Sequence, residues 1–196
     1  PVRHRYTYEL LGLVLRLAKY AEMNFKNAMC VRRPHEYSPQ IQPMLQTPSH
    51  GSLPSGHSTE AHAVARVLFA LLLDATASNP SILQLRNQLM RQADRIAINR
   101  TIAGLHYPVD SRAGQLLGLT IGDYFVARAN PTGSTNVPTW TFDGNQYSGD
   151  QDFSGAEIFD ESSGLITQSR DLSTNPPTLK NYVVPMAPPN VTLKGA

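Results

Sequence analysis

The sequence predicts a mainly α-helical protein: a helical bundle followed by an extended, irregular arm. Apolar residues recur at helical spacing up to Ala129, and no strong alternating strand pattern interrupts them. Beyond Ala129, Pro, Gly, Ser, Thr and Asn dominate, with Pro131, Pro138, Pro176, Pro177, Pro185, Pro188 and Pro189 punctuating the run. The chain therefore divides into residues 1–129, a helical bundle, and residues 130–196, an arm with two short strands and no second core.

Four helices are expected. The first runs from about Tyr6 to Lys26, with Leu10, Val14, Leu17 and Ala21 on its apolar face and Glu9, Arg16, Lys19 and Glu22 as its polar residues. The second begins just after Gly56 and runs to about Asp74. It is apolar nearly all round apart from His62 and Arg66, which marks it as the central helix. Asn79-Pro80 reads as N-cap and first turn of a third helix that continues to about Ile102 and stops at Gly104. The fourth runs from about Ser111 to Arg128, with Leu116, Leu117, Ile121, Tyr124 and Phe125 as its buried stripe.

Composition excludes several function classes. The 196 residues are 41% hydrophobic, enough for a core, and the net charge of +2 is too small to argue for nucleic acid or an anionic membrane. A single cysteine, Cys30, rules out an internal disulfide framework and reads as a packed small residue. The longest uninterrupted apolar run, Val67 to Leu73, is far short of the roughly 20 residues of a membrane span. Pro1 lies close to a helical pattern, so the native chain is expected to extend upstream.

Three segments carry chemistry. Lys26 and Arg33, seven residues apart with Pro34 behind, place an ammonium and a guanidinium near the end of the first helix. An ammonium is a point charge, whereas the planar guanidinium fork suits an oxyanion. Taken alone, the pair reads as ordinary surface charge at a helix end. Pro54-Ser55-Gly56-His57 directly precedes the most apolar helix. The free N–H groups of a helix start attract anions; Ser55 adds a hydroxyl, Gly56 permits close approach, and His57 adds an acid–base group. An ordinary N-cap loop would look the same. The third segment joins Arg100, in the last turn of a helix, to His106 and Asp110. A carboxylate beside a histidine fixes its tautomer and strengthens its basicity, and Asp110 also suits the start of the fourth helix. Together these residues make an inventory for a tetrahedral or trigonal-bipyramidal oxyanion: three cations, neutral donors and two histidines.

The pattern Lys26-x6-Arg33-Pro34, Pro54-Ser55-Gly56-His57 and Arg100-x5-His106-x3-Asp110 resembles the superfamily that joins type 2 phosphatidic acid phosphatases, bacterial acid phosphatases and vanadium haloperoxidases. The resemblance covers about the first 130 residues, with Asn99 standing where many members have Ser. It implies that Lys26, Arg33, Ser55, Gly56 and Arg100 bind vanadate or phosphate, and that His57, His106 and Asp110 are catalytic. In the phosphatases the residue matching His106 becomes a phosphohistidine. In the haloperoxidases it ligates vanadium, making vanadate the cofactor.

Vanadate and phosphate are near isosteres, so the ligand set does not separate the two chemistries. His50, seven residues before His57, resembles the halide-site histidine of the bromo- and iodoperoxidases. On that basis the expected function is a vanadate-dependent haloperoxidase that uses hydrogen peroxide to oxidise bromide or iodide, with a small organic substrate as halogen acceptor. The alternatives are a soluble acid phosphatase and an inactive homologue serving as an assembly subunit. Known haloperoxidases are longer and carry a further bundle ahead of these motifs. The resemblance thus implies a homo-oligomer, or association with a missing N-terminal half through the first helix. It also implies a soluble protein, secreted or periplasmic.

Overall fold

The computed structural model describes residues 4–76, 81–129, 142, 147, 150, 152–155, 168–171 and 178–181. The helices are α1 (Arg5–Met29), α2 (Pro34–Tyr37), α3 (Gly56–Thr76), α4 (Ile82–Ile102) and α5 (Pro108–Ala129). The protein is mainly helical, as the periodicity predicts. Two short strands follow, β1 (Gln168–Asp171) and β2 (Thr178–Asn181), paired antiparallel with Gln168 opposite Asn181. The expected Asn79-Pro80 start of α4 lies outside the described residues.

α3 is the central helix, packing against α1, α4 and α5. On one side Val14 and Ala18 of α1 meet Ala63 and Val67 of α3 and Ile121 of α5. On another, Ala65 meets Met90 and Ala93 of α4 and Leu119 of α5. Burying a side chain the size of valine or leucine stabilises by about 1.5–3 kcal/mol, so these two clusters hold the helices in place.

The helix ends are set locally. α1 stops at Cys30, whose backbone is left-handed (φ 48°) and whose N–H donates to the Lys26 carbonyl. Cys30 is exposed, not packed as its residue type suggested, because its place is a helix cap. α2 begins on Pro34, with the Glu36 carboxylate accepting the Arg33 N–H at 2.5 Å. α4 ends at Ile102, and just beyond it Gly104 turns the chain with a φ of 72°, the left-handed conformation glycine adopts freely.

The buried face of α5 differs from the expected stripe. Tyr124 is 39% exposed, and the fully buried positions include Gly114, Gly118 and Gly122. These glycines recur every four residues, so they line one face. A Cβ at Gly118 would lie 2.3 Å from the Thr59 carbonyl oxygen of α3, and one at Gly114 would lie 2.5 Å from that of Ser55. The two backbones are closer here than any larger residue permits.

Glu22 also departs from expectation. It is 5% exposed, on the same buried stripe of α1 as Val14, Ala18 and Lys26. The opposite face of α1 leaves Tyr6, Leu13 and Tyr20 exposed.

Candidate active site

Four helix ends meet at one pole of the bundle. Lys26 comes from the end of α1, Ser55, Gly56 and His57 from the start of α3, Arg100 from the end of α4 and Asp110 from the start of α5. His106 precedes α5, and the 50–53 loop closes the ring. The close contact of α3 with α5 fixes the geometry: the Ser55 N–H donates to the Asp110 carbonyl at 2.9 Å, and Ser58 Oγ to that of Ser111 at 2.7 Å.

Asp110 is the hub. Its Oδ2 accepts from His106 Nδ1 at 3.0 Å, from the Tyr107 N–H at 3.1 Å and from Ser52 Oγ. It thus caps α5 and orients the imidazole with one oxygen, and the two roles weighed for it in the sequence coincide. With Nδ1 carrying the proton toward Asp110, His106 Nε2 is left as the lone-pair nitrogen. Burial holds the His106 pKa below its usual value, with Asp110 opposing, so the ring is neutral at pH 7.

The cations are braced by carbonyl oxygens. Lys26 is 1% exposed and donates to Gly51 O at 3.1 Å and Ser52 O at 3.2 Å. An ammonium has three donors, so one remains for a ligand. Burial lowers the Lys26 pKa to about 8, with Arg33 adding to the effect while Glu22 and Asp110 oppose it. Arg33 donates through Nη1 to Leu105 O at 2.9 Å and through Nε to His50 O at 3.2 Å. Nη2 lies 3.4 Å from both Gly51 O and His50 Nδ1, so the second N–H of Nη1 is the one left for a ligand among the described residues. Arg100 Nε is buried and has no hydrogen-bond partner among the described residues, an unmet donor of the kind an oxyanion would satisfy. The three cations share one neighbourhood: Arg33 lowers the pKa of Lys26, and Arg100 lowers those of Arg33 and His57.

Ser55 is fully buried and caps α3, its Oγ accepting the Ser58 N–H at 3.5 Å while its own O–H stays available. His57 reaches solvent at the mouth of the site. Partial burial, then Arg100, His106 and Lys26, lower its pKa. His50 lies against Arg33: its carbonyl accepts from Arg33 Nε, and its Nδ1 lies 3.4 Å from Arg33 Nη2.

Sequence reasoning missed Ser52, Asp94 and Phe153. Ser52, fully buried, hydrogen-bonds Asp110 and lies 3.3 Å from His106 Nδ1. Behind the start of α3, His62 Nε2 meets Asp94 Oδ1 at 3.0 Å, and Nδ1 meets Ser58 O at 2.8 Å. The arm reaches this network. Phe153 is 6% exposed, sits edge-on to His62 and lies under the Arg112 guanidinium, which also donates to Ser154 O at 2.8 Å. The spacing of Gly114, Gly118 and Gly122 was the available signal for the α3–α5 contact. Nothing in the sequence marked Ser52.

Fold and site together set a carboxylate-oriented histidine beside three cations at one pole of a helical bundle. The PAP2 superfamily model matches residues 8–131, and the chain belongs to that superfamily. It is similar to the decaprenylphosphoryl-5-phosphoribose phosphatase of two strains of Mycobacterium tuberculosis, 34% identical over 92 residues, which are 47% of this chain and 45% of each relative. The chain thus spans under half the length of the curated relatives it matches. Among solved structures, a transmembrane PAP2 type phosphatidylglycerolphosphate phosphatase from Bacillus subtilis aligns with a TM-score of 0.48 and 24% identity, over 66% of this chain and 64% of that one.

These relatives correct the haloperoxidase expectation. They are phosphatases by name, so the oxidoreductase chemistry falls, and with it hydrogen peroxide, bromide or iodide and a halogen-accepting organic substrate as partners. The motif is common to both branches, and His50, one of the features that tipped the choice, lies against Arg33. The expectation of a soluble, secreted or periplasmic protein is withdrawn as well, since the curated relatives are named for a decaprenylphosphoryl compound. Among the described residues no helix is long and apolar enough to cross a membrane.

Proposed function

We propose that the chain is a phosphatase that cleaves a phosphate monoester through a phosphohistidine on His106. The observation that carries this reading is the 3.0 Å His106–Asp110 hydrogen bond, which leaves a neutral imidazole with Nε2 free beside three cations. The phosphatase names of the curated relatives support the same chemistry.

Phosphate oxygens would take the remaining donors of Lys26, Arg33 and Arg100, the Gly56 N–H and the Ser55 hydroxyl. His106 Nε2 attacks phosphorus as the P–O ester bond breaks. Asp110 stabilises the positive charge that builds on the ring. His57 gives its proton to the departing alkoxide. Its pKa is held down in the free protein, and the bound dianion raises it toward the protonated form an acid needs. Water then attacks the phosphohistidine, His57 takes the proton, and inorganic phosphate leaves.

The substrate this reading favours carries its phosphate on an apolar group. Tyr37 is exposed at the end of α2, Ile41, Met44 and Leu45 on the loop after it, and Ile102 at the end of α4. The Met44 N–H donates to Ala103 O at 3.1 Å, joining the two segments near Arg100. A prenyl-linked phosphate fits such a rim, in line with the relatives' name. The cradle also suits vanadate, here as a trigonal-bipyramidal mimic that inhibits and not as a redox cofactor.

Hydrolysis of p-nitrophenyl phosphate and of a prenyl phosphate tests the proposal. His106→Ala should abolish turnover and the acid-labile, alkali-stable phosphoenzyme. His57→Ala should still bind phosphate while turnover falls by about 10²–10⁴. Full activity in His106→Ala, or bromination by the vanadate-loaded protein with peroxide, would refute the reading.

A further inference from the structure

Glu22 takes no part in that chemistry, yet it lies against the cradle. It sits one helical turn before Lys26 and is 5% exposed. Its Oε2 is buried and accepts no hydrogen bond among the described residues. The carboxylate fills the space beside Gly56: a Cβ there would come within 2.6 Å of both its oxygens. An unpartnered buried carboxyl is costly to keep ionised, and its position against the first residue of α3 puts it next to the N–H groups that would receive a phosphate oxygen.

The charges acting on Glu22 are few. Glu60 faces it from α3, and Lys26 and Lys19 act from its own helix; Asp110 of α5 acts on Lys26. Lys26 makes no ion pair with it, since that ammonium donates to the Gly51 and Ser52 carbonyls. Burial first, then Glu60, raise the Glu22 pKa to about 7 against the pull of the two lysines. A dianion bound at Gly56 adds a second like charge beside it, and two adjacent anions resolve by one taking a proton.

We propose that Glu22 couples oxyanion binding to proton uptake: an oxyanion docking at the start of α3 drives a proton onto the Glu22 carboxyl. The inference rests on the oxyanion-cradle reading above. By linkage, ionising Glu22 weakens the anion to the same degree that the anion protonates Glu22.

Tungstate is a suitable probe, because it stays dianionic near neutral pH and is not turned over. Calorimetric titration of the whole chain at pH 7.5, in two buffers of different ionisation enthalpy, reads the protons taken up. A rise from about 7 to about 8 on binding would take Glu22 from about one-quarter to three-quarters protonated, so Glu22→Gln should lose about half a proton of the uptake. The variant should bind tungstate at least as tightly at pH 8. Glu60→Gln removes the like charge and should shift the uptake profile to lower pH; it also decides the matter if Glu22→Gln does not fold. Wild-type uptake in Glu22→Gln, or an unmoved profile in Glu60→Gln, overturns the proposal. So does weaker tungstate binding by a folded Glu22→Gln, which would make Glu22 a support for the Lys26 charge. If the wild-type chain fails to bind tungstate, the cradle reading falls and this inference falls with it.

Discussion

Replacing Gly118 with alanine tests whether the closeness of α3 and α5 is what builds the site. In an exposed helix interior, Gly→Ala stabilises by about 1 kcal/mol. At Gly118 the new Cβ would lie 2.3 Å from Thr59 O, 3.0 Å from His62 Cβ and 3.1 Å from Ala63 N. A carbon meets a carbonyl oxygen at about 3.3–3.6 Å, so α3 and α5 must part by roughly 1 Å. The first obstacle is backbone, which cannot swing aside. Overpacking of this kind costs about 1–3 kcal/mol. The same movement would stretch the 2.9 Å Ser55–Asp110 and 2.7 Å Ser58–Ser111 hydrogen bonds, each worth about 1 kcal/mol. After the helix-propensity gain, a net loss of about 2–4 kcal/mol remains. Turnover should drop by about 10²-fold, because the His106–Asp110 pair would shift relative to the α3 N–H groups. Gly12→Ala on α1 is the control, since a Cβ there has nothing within 4 Å, and it should stabilise by about 0.5–1 kcal/mol. Urea unfolding of both variants with phosphatase assays decides the question. If Gly118→Ala is as stabilising as Gly12→Ala and as active as wild type, the reasoning is refuted.

Three further outcomes follow from the same geometry. Lys26 is charged below its pKa of about 8, so tungstate affinity should fall as pH rises through 8, and Lys26→Met should remove that limb of the profile. Asp110→Asn keeps the size of the side chain but loses the charged acceptor for His106; turnover should fall by about 10–100-fold while tungstate binding survives, and unchanged turnover would deny the positioning role. Phe153→Ala should destabilise by about 3 kcal/mol in thermal or urea unfolding, because the ring is 6% exposed between His62 and Arg112; a loss below 0.5 kcal/mol would show that the arm is not anchored there.

Much of the bundle was legible because α1, α3, α4 and α5 are long enough for helical periodicity to show. α2 was not, since its four residues complete barely one turn. The buried face of α5 escaped notice because glycine adds nothing to an apolar stripe, although glycine is what the contact with α3 requires. Glu22 was read as part of the polar face of α1 for its charge alone, whereas the burying stripe runs through it to Lys26. Motif spacing singled out Lys26, Arg33, Ser55, Gly56, Arg100, His106 and Asp110, which the structure gathers at one pole. Ser52 shares the pocket but sits in a loop with no periodicity and no motif, so only three-dimensional proximity reveals it. The branch of chemistry was hidden for a different reason: tetrahedral phosphate and vanadate ask for the same donors.

The meeting of four helix ends at one pole gives the bundle an asymmetric tolerance to redesign. The other pole, where α1 and α4 begin and α3 and α5 end, carries none of the cradle residues. A helix turn added or removed there changes the length of the rods without moving their chemically committed tips. Fusion partners, affinity handles or a longer leading helix can therefore be grafted at that far end, whereas an insertion of even one residue between Lys26 and Arg33, or between Arg100 and Asp110, would put the donors out of register with one another.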